Sequence, residues 1–197
     1  MNTNVTNRSV IDRLISAAGA VLAVVCLGAS ALLFVAHGYV HNQVTSQLAD
    51  QHVTFPAAGS PGLAALPAAD RAAVEKYAGQ QLTTGAQAKV FADNYIKVHL
   101  AGVADGKTYS QVSALAQAAP TDTKLAGQVQ TLFRGETLRG LLLNGYAFDT
   151  MGSIALIAAW AALVAGLLLA VLTGLGLRHA RRVEIAVTVP TPAPALV

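Results

Sequence analysis

Four histidines, His37, His41, His52 and His99, stand in the long middle of the chain, between two uncharged apolar runs. His37 and His41 are four residues apart, so on a helix they share a face, a spacing that can present two metal ligands. Asp50 or His52 would have to supply a third. The pair lacks the intervening glutamate of a His-Glu-x-x-His metallohydrolase motif, and no further liganding cluster follows it. No metal or other cofactor is therefore expected, and His37 and His41 are the residues a metal would use. Beside Tyr39 they read more simply as polar aromatic side chains at headgroup level.

The second candidate is the string Leu132-Phe133-Arg134-Gly135-Glu136-Thr137-Leu138-Arg139-Gly140. On a helix Glu136 and Arg139, at i and i+3, are close enough to pair. Arg134, Glu136 and Arg139 are expected to fix the last helix against its neighbours or to contact a partner. Gly135, Gly140 and Gly145 recur every five residues, which weakens a helix unless close packing compensates. No serine, histidine and acid arrangement reads as a triad, and there is no phosphate-binding glycine loop or Cys/His zinc pattern. Catalytic residues are expected to be absent. The lone cysteine, Cys26, lies inside the first apolar run, so the middle of the chain must hold together by packing alone.

These residues hang on two long apolar stretches. Only 12% of the 197 residues are charged, well under the quarter typical of soluble domains, and mean hydropathy is +0.51. Leu14 to Ala36 and Met151 to Leu177 contain no charged residue. As helices rising about 1.5 Å per residue, both exceed a hydrocarbon core of about 30 Å. Arg8 and Arg13 precede the first span, and Arg178, Arg181 and Arg182 follow the second. The opposite flanks hold only Arg134 and Arg139, so the positive-inside rule puts both termini in the cytoplasm. The first run is longer than a signal-peptide core, and an uncleaved anchor is expected. Between residues 38 and 150 eight basic side chains balance eight acidic ones, which argues against nucleic-acid binding. With no charge inside either span, a single-chain ion or proton pathway is not expected. The second span carries small residues every fourth position, Ala158, Ala162, Gly166, Ala170 and Gly174, a ridge suited to close, right-handed helix packing within the chain or between copies.

The middle reads as helices between clear stops. Pro56, Gly59, Pro61 and Gly62 mark a loop, and Pro67 opens a helix over 68–78. Thr84-Gly85-Ala86-Gln87 and Thr108-Tyr109-Ser110-Gln111 are capping boxes, each starting a helix. Phe91, Tyr95 and Val98 form a buried stripe at i, i+4, i+7. A last helix from about Asp122 runs toward the second span. The expected core is Val74, Tyr77, Leu82, Phe91, Tyr95, Val98, Tyr109, Val112, Leu115, Val129, Leu132 and Phe133.

The resulting plan is all-α: a cytoplasmic tail (1–13), a first span (14–36), an extracytoplasmic bundle of four to five helices (37–150), a second span (151–177) and a basic, proline-rich cytoplasmic tail (178–197). That plan, with the run Phe133 to Asn144 leading into the second span, resembles uncharacterised two-span membrane proteins of actinobacteria. The resemblance implies a bacterial plasma-membrane location and no particular activity. The layout is also similar to the input half of chemoreceptor-type sensors, without their signalling half. The function expected is therefore non-enzymatic binding or scaffolding. A sensor module acting through a partner and a metal or redox accessory protein of the envelope are the alternatives. The expected partners are the bilayer and either a second copy or another envelope protein.

Overall fold

The computed structural model describes residues 3–188, with side chains over 10–182; the prolines at 190, 192 and 194 lie outside the described residues. The chain is helical, with two long apolar helices, α1 (Thr3–Ala49) and α7 (Thr123–Thr188). Between them come α2 (Pro61–Ala64), α3 (Ala68–Glu75), α4 (Gly85–Val90), a π-helical turn (Phe91–Ile96), α5 (Lys97–Val103) and α6 (Tyr109–Ala118). An isolated bridge, Thr54 to Gln81, is the sole extended pairing among the described residues. Two compact units result: one formed by residues up to Ala36 and from Ala155 onward, the other His37–Ile154.

In the first unit the two helices run antiparallel. Contacts pair Ser16 with Gly176, Gly19 with Thr173, Cys26 and Leu27 with Gly166, and Ser30 with Ala159. The inward residues recur every seventh position: Ser16, Ala23 and Ser30 on α1, and Ala159, Gly166, Thr173 and Ala180 on α7. All are small, so the backbones approach closely. The Ser30 hydroxyl donates to the Ala159 carbonyl at 2.9 Å. Phe34 and Trp160 meet edge to face, centroids 5.2 Å apart. Among the described residues these are the two helices long and apolar enough to cross a membrane.

This corrects the spacing-four ridge as the contact within the chain. Only Gly166 of that row is buried and Ala162 half-buried, while Ala158, Ala170 and Gly174 are exposed. A row at spacing four advances about 40° around the helix per step, and so leaves a straight contact within two steps. A seven-residue row drifts only about 20°, which a left-handed supercoil absorbs. The packing is therefore of the heptad type, not the right-handed crossing that the ridge suggests.

The second unit is built on one stripe of α7. Gln128, Leu132, Gly135, Arg139, Leu142, Tyr146 and Asp149, alternately four and three apart, face the run α4–π–α5, which passes antiparallel. Gln128 bonds the Val103 carbonyl at 2.7 Å, Gly135 lies against Leu100, Arg139 meets Asp93, Lys89 covers the Tyr146 ring and Gly85 lies against Asp149. A Cβ at Gly135 would collide with the Leu100 side chain, which is why a helix-weakening residue stands there. Gly140, by contrast, has open space around it. Both capping boxes form as expected, Thr84 with Gln87 and Thr108 with Gln111.

The core differs from expectation at both ends of the hydrophobic scale. Phe55, Leu63 and Leu142 are among its most buried side chains, whereas Tyr109, Leu115 and Phe133 are exposed. The proline- and glycine-containing segment is not a bare loop. Phe55 N–H donates to Gln80 and Leu82 N–H to Val53, clipping it down so that Phe55 packs edge-on against Phe91 at 5.1 Å. Of the stripe expected at Phe91, Tyr95 and Val98, Phe91 is buried and the other two are half-buried against the core, while Ala92, Ile96 and Leu100 join Phe91 in its interior, because the π turn adds a residue to the repeat.

Substituting Gly166 and Gly174 separates the two packing patterns. A Cβ at Gly166 would lie 2.9 Å from Leu27 carbons, while nothing lies within 4 Å of one at Gly174. Gly166→Ile should lower the thermal midpoint in detergent, and Gly174→Ile should leave it nearly unchanged. Equal effects would contradict the seven-residue seam.

Candidate functional site

Three groups of polar side chains in the His37–Ile154 unit are candidates. The first is a charged strap between the π turn and α7. Asp93 lies inside the π turn and accepts from Lys89 Nζ at 2.6 Å and from Arg139 Nη2 at 3.1 Å. Arg139 Nη1 also reaches Glu136 at 3.4 Å. Lys89 lies 5.3 Å from the Tyr146 ring centroid, so the same ammonium group serves a carboxylate and a π face.

The hydrogen bond from Lys89, more than that from Arg139, holds the Asp93 carboxyl below its ordinary value, against an opposing effect of partial burial. The bond to Asp93 likewise holds Lys89 above the usual lysine value. Of the three residues singled out in the sequence, Arg139 is thus half-buried and doubly paired, and Glu136 is its exposed second partner. Arg134 is exposed and reaches the side-chain oxygen of Gln130 at 2.9 and 3.1 Å once that amide is oriented to accept. The decisive partner, Asp93, is 46 residues from Arg139, beyond the reach of any local spacing rule.

The second group is the histidine pair. His37 and His41 stack, centroids 5.9 Å apart and planes 22° apart. His37 Nδ1 lies 2.9 Å from the Gly152 carbonyl. A carbonyl only accepts, so this nitrogen carries the proton and donates. His41 Nδ1 lies 3.5 Å from Asp149 Oδ1. The acidic neighbour is therefore Asp149 of α7, not Asp50. His52 sits at a helix end with φ of 53°, and His99 bonds the Tyr95 carbonyl at 2.8 Å. No three His, Cys, Asp or Glu side chains converge as metal ligands among the described residues. The arrangement orients two imidazoles along a helix junction.

No family model, curated protein or solved structure matches the chain.

The third group lines a groove of about 440 Å3 between the C-terminal part of α1 and α7, with Val44 and Leu48 at its floor and Tyr39, Gln43, Gln47, Leu141, Asn144 and Phe148 around it. Its lining holds no charged side chain. The volume falls within the range of small-molecule sites, yet the polar groups are scattered amides, with no convergent acid, base or nucleophile. The groove offers apolar contact and amide hydrogen bonding.

The strap makes a pH-dependent prediction. Because Asp93 is lowered from 3.8, its contribution is full above the unfolded value and is lost as pH falls through the lower folded one. Lys89, raised from 10.5, contributes fully below that value and loses its share only at higher pH. Asp93→Asn should cost about 0.5–1 kcal/mol, as expected for a partly solvated pair. The deficit should hold steady across neutral pH and close below pH 3.8, measured by denaturant titration in detergent. A deficit that persists undiminished in acid would contradict the strap.

Proposed function

We propose that the chain is an integral protein of the bacterial plasma membrane whose helical middle domain, outside the cytoplasm, binds or scaffolds another component without catalysing a reaction. The observation that carries this reading is the surface of the two apolar helices. Val24, Leu32 and Ile157 are 70%, 73% and 71% exposed. A soluble protein would bury such side chains, at roughly 25 cal/mol for each Å2 of apolar surface removed from water. Lipid accepts them without that cost, and a helix satisfies its own backbone hydrogen bonds there.

Orientation rests on the arginines at the two cytoplasmic flanks, against fewer on the other side. The middle domain is then extracytoplasmic, a cluster of short helices clipped to the ends of two long ones. Its charged cluster, Lys89, Asp93 and Arg139, is spent on joining two helices, which suits a binding platform more than an active site.

A phosphatase reporter fused after Leu100, active only outside the cytoplasm, tests the topology. High activity, together with retention in the pellet after alkaline carbonate washing, is the expected result. An inactive fusion at normal abundance, or release into the soluble fraction, would overturn the reading. A pull-down after gentle detergent extraction should then recover a stoichiometric partner, either another envelope protein or a second copy.

A further inference from the structure

We infer that the cytoplasmic end of α7 binds an anionic phospholipid, with Arg178, Arg181 and Arg182 on the headgroup phosphate and the exposed apolar side chains beyond them along the acyl chains. The inference rests on the membrane reading above and names a ligand that reading leaves open.

The charge of the chain is unevenly placed. Residues 38–150 balance eight basic against eight acidic side chains, so the formal net charge of +3 comes from the two ends, where Arg8, Arg13, Arg178, Arg181 and Arg182 outnumber Asp12 and Glu184. In the middle unit Lys89 and Arg139 are spent on Asp93. Arg178, Arg181 and Arg182 are exposed, and none of them has an ion-pair partner among the described residues.

Their place on the helix says more than their number. Leu167, Val171, Gly174, Arg178 and Arg181 follow one another in steps of four and three, so they share a face, and Arg182 joins it one turn beyond Arg178. This face lies away from the seam with α1, where Ala180 is only 1% exposed. Leu167 and Val171 are exposed, and nothing stands within 4 Å of a Cβ at Gly174. The face is thus open along its length, apolar toward the middle of the span and basic at its end. From Arg178 back to Leu167 it measures about 16 Å, close to half of a hydrocarbon core of about 30 Å. A phospholipid of one leaflet is divided in the same way at the same depth.

The choice of occupant follows from that division and from charge. A guanidinium meets phosphate oxygens through paired N–H donors and keeps its charge at any physiological pH. Three of them within about one turn favour a headgroup of net negative charge over a zwitterionic one, whose ammonium they repel. Asp12 does not offset them on this face, since it lines the cleft between α1 and α7 with His179. An acidic protein in the cytoplasm would match the arginines but not Val171 and Leu167, which lie at the level of lipid tails.

The full chain, reconstituted in phosphatidylcholine vesicles with a trace of spin-labelled lipid, tests this by electron spin resonance. Spin-labelled phosphatidylglycerol should occupy the protein surface about fivefold more readily than spin-labelled phosphatidylcholine, and high salt should shrink that preference. Arg178→Gln/Arg181→Gln/Arg182→Gln should bring the ratio close to one, and the three matching lysine substitutions should keep most of it. Arg71→Gln/Lys76→Gln/Lys107→Gln removes as much charge from exposed positions of the middle unit and should leave the ratio unchanged. Flotation with the vesicles and an unchanged helical circular dichroism signal establish that each variant is inserted and folded; Arg178→Gln alone, a milder change, should already lower the ratio. No preference in the parent protein would overturn the inference, and an acidic protein as the natural occupant would give that result. Equal losses in the two glutamine sets would overturn it as well, by tracing the effect to net charge. Millimolar inorganic phosphate should leave the preference in place. Its loss in phosphate but not in chloride of equal ionic strength would assign the arginines to free phosphate instead of lipid. Failure of the membrane reading shows separately, as a chain that does not float with the vesicles.

Discussion

The side chains of an α-helix return to one direction about every three and a half residues, and the folded middle of this chain depends on how α7 distributes that repeat. One of its faces is committed to the antiparallel run α4–π–α5, from Gln128 to Asp149. Glycine admits Leu100, arginine seizes Asp93, and tyrosine receives Lys89. Each contact is modest alone. Their common spacing makes them one seam, so that the short helices, none longer than ten residues in the described chain, are ordered by a helix of 66. Helices so short are marginal on their own, and they owe their persistence to this docking and to the core around Phe55, Leu82 and Val112.

What could be read from the sequence was what is encoded within a few residues. The two threonine–glutamine capping boxes form as written because cap and partner are three positions apart. The two apolar runs lie on long helices because length and composition decide that directly. Features that depend on distant partners were not legible. Periodicity marks Tyr109, Leu115 and Phe133 as apolar at helical spacing, but it does not say how far they are covered; Tyr109 and Phe133 lie against each other at the surface, and all three stay exposed. Phe55 and Leu63 lie among prolines and glycines that signal a loop, and their burial depends on the clip to Gln80 and Gln81. The π turn left no local sign, since Phe91 and Tyr95 also fit an ordinary α-helix.

The candidate residues divide in the same way. Glu136 and Arg139 were visible as a local pair, yet Arg139 acts chiefly on Asp93, far away in sequence. His37 and His41 share a helix face as their spacing requires, but their partners are a backbone carbonyl and a carboxylate on α7. Charge and imidazole therefore serve to fasten helices in this unit. The surface left without such fastening is the neutral groove.

The hydroxyl of Ser30, set between small residues seven positions apart, has a mechanical consequence. Moving α1 along α7 by one turn, about 5.4 Å, would bring Leu27 or Phe34 to the level where Ser30 now meets the Ala159 backbone, and neither has a proton to offer the carbonyl. The nearest equivalent resting place is a full seven residues away, about 10 Å. The axial register of the two apolar helices is thus set by one hydroxyl and the small residues around it.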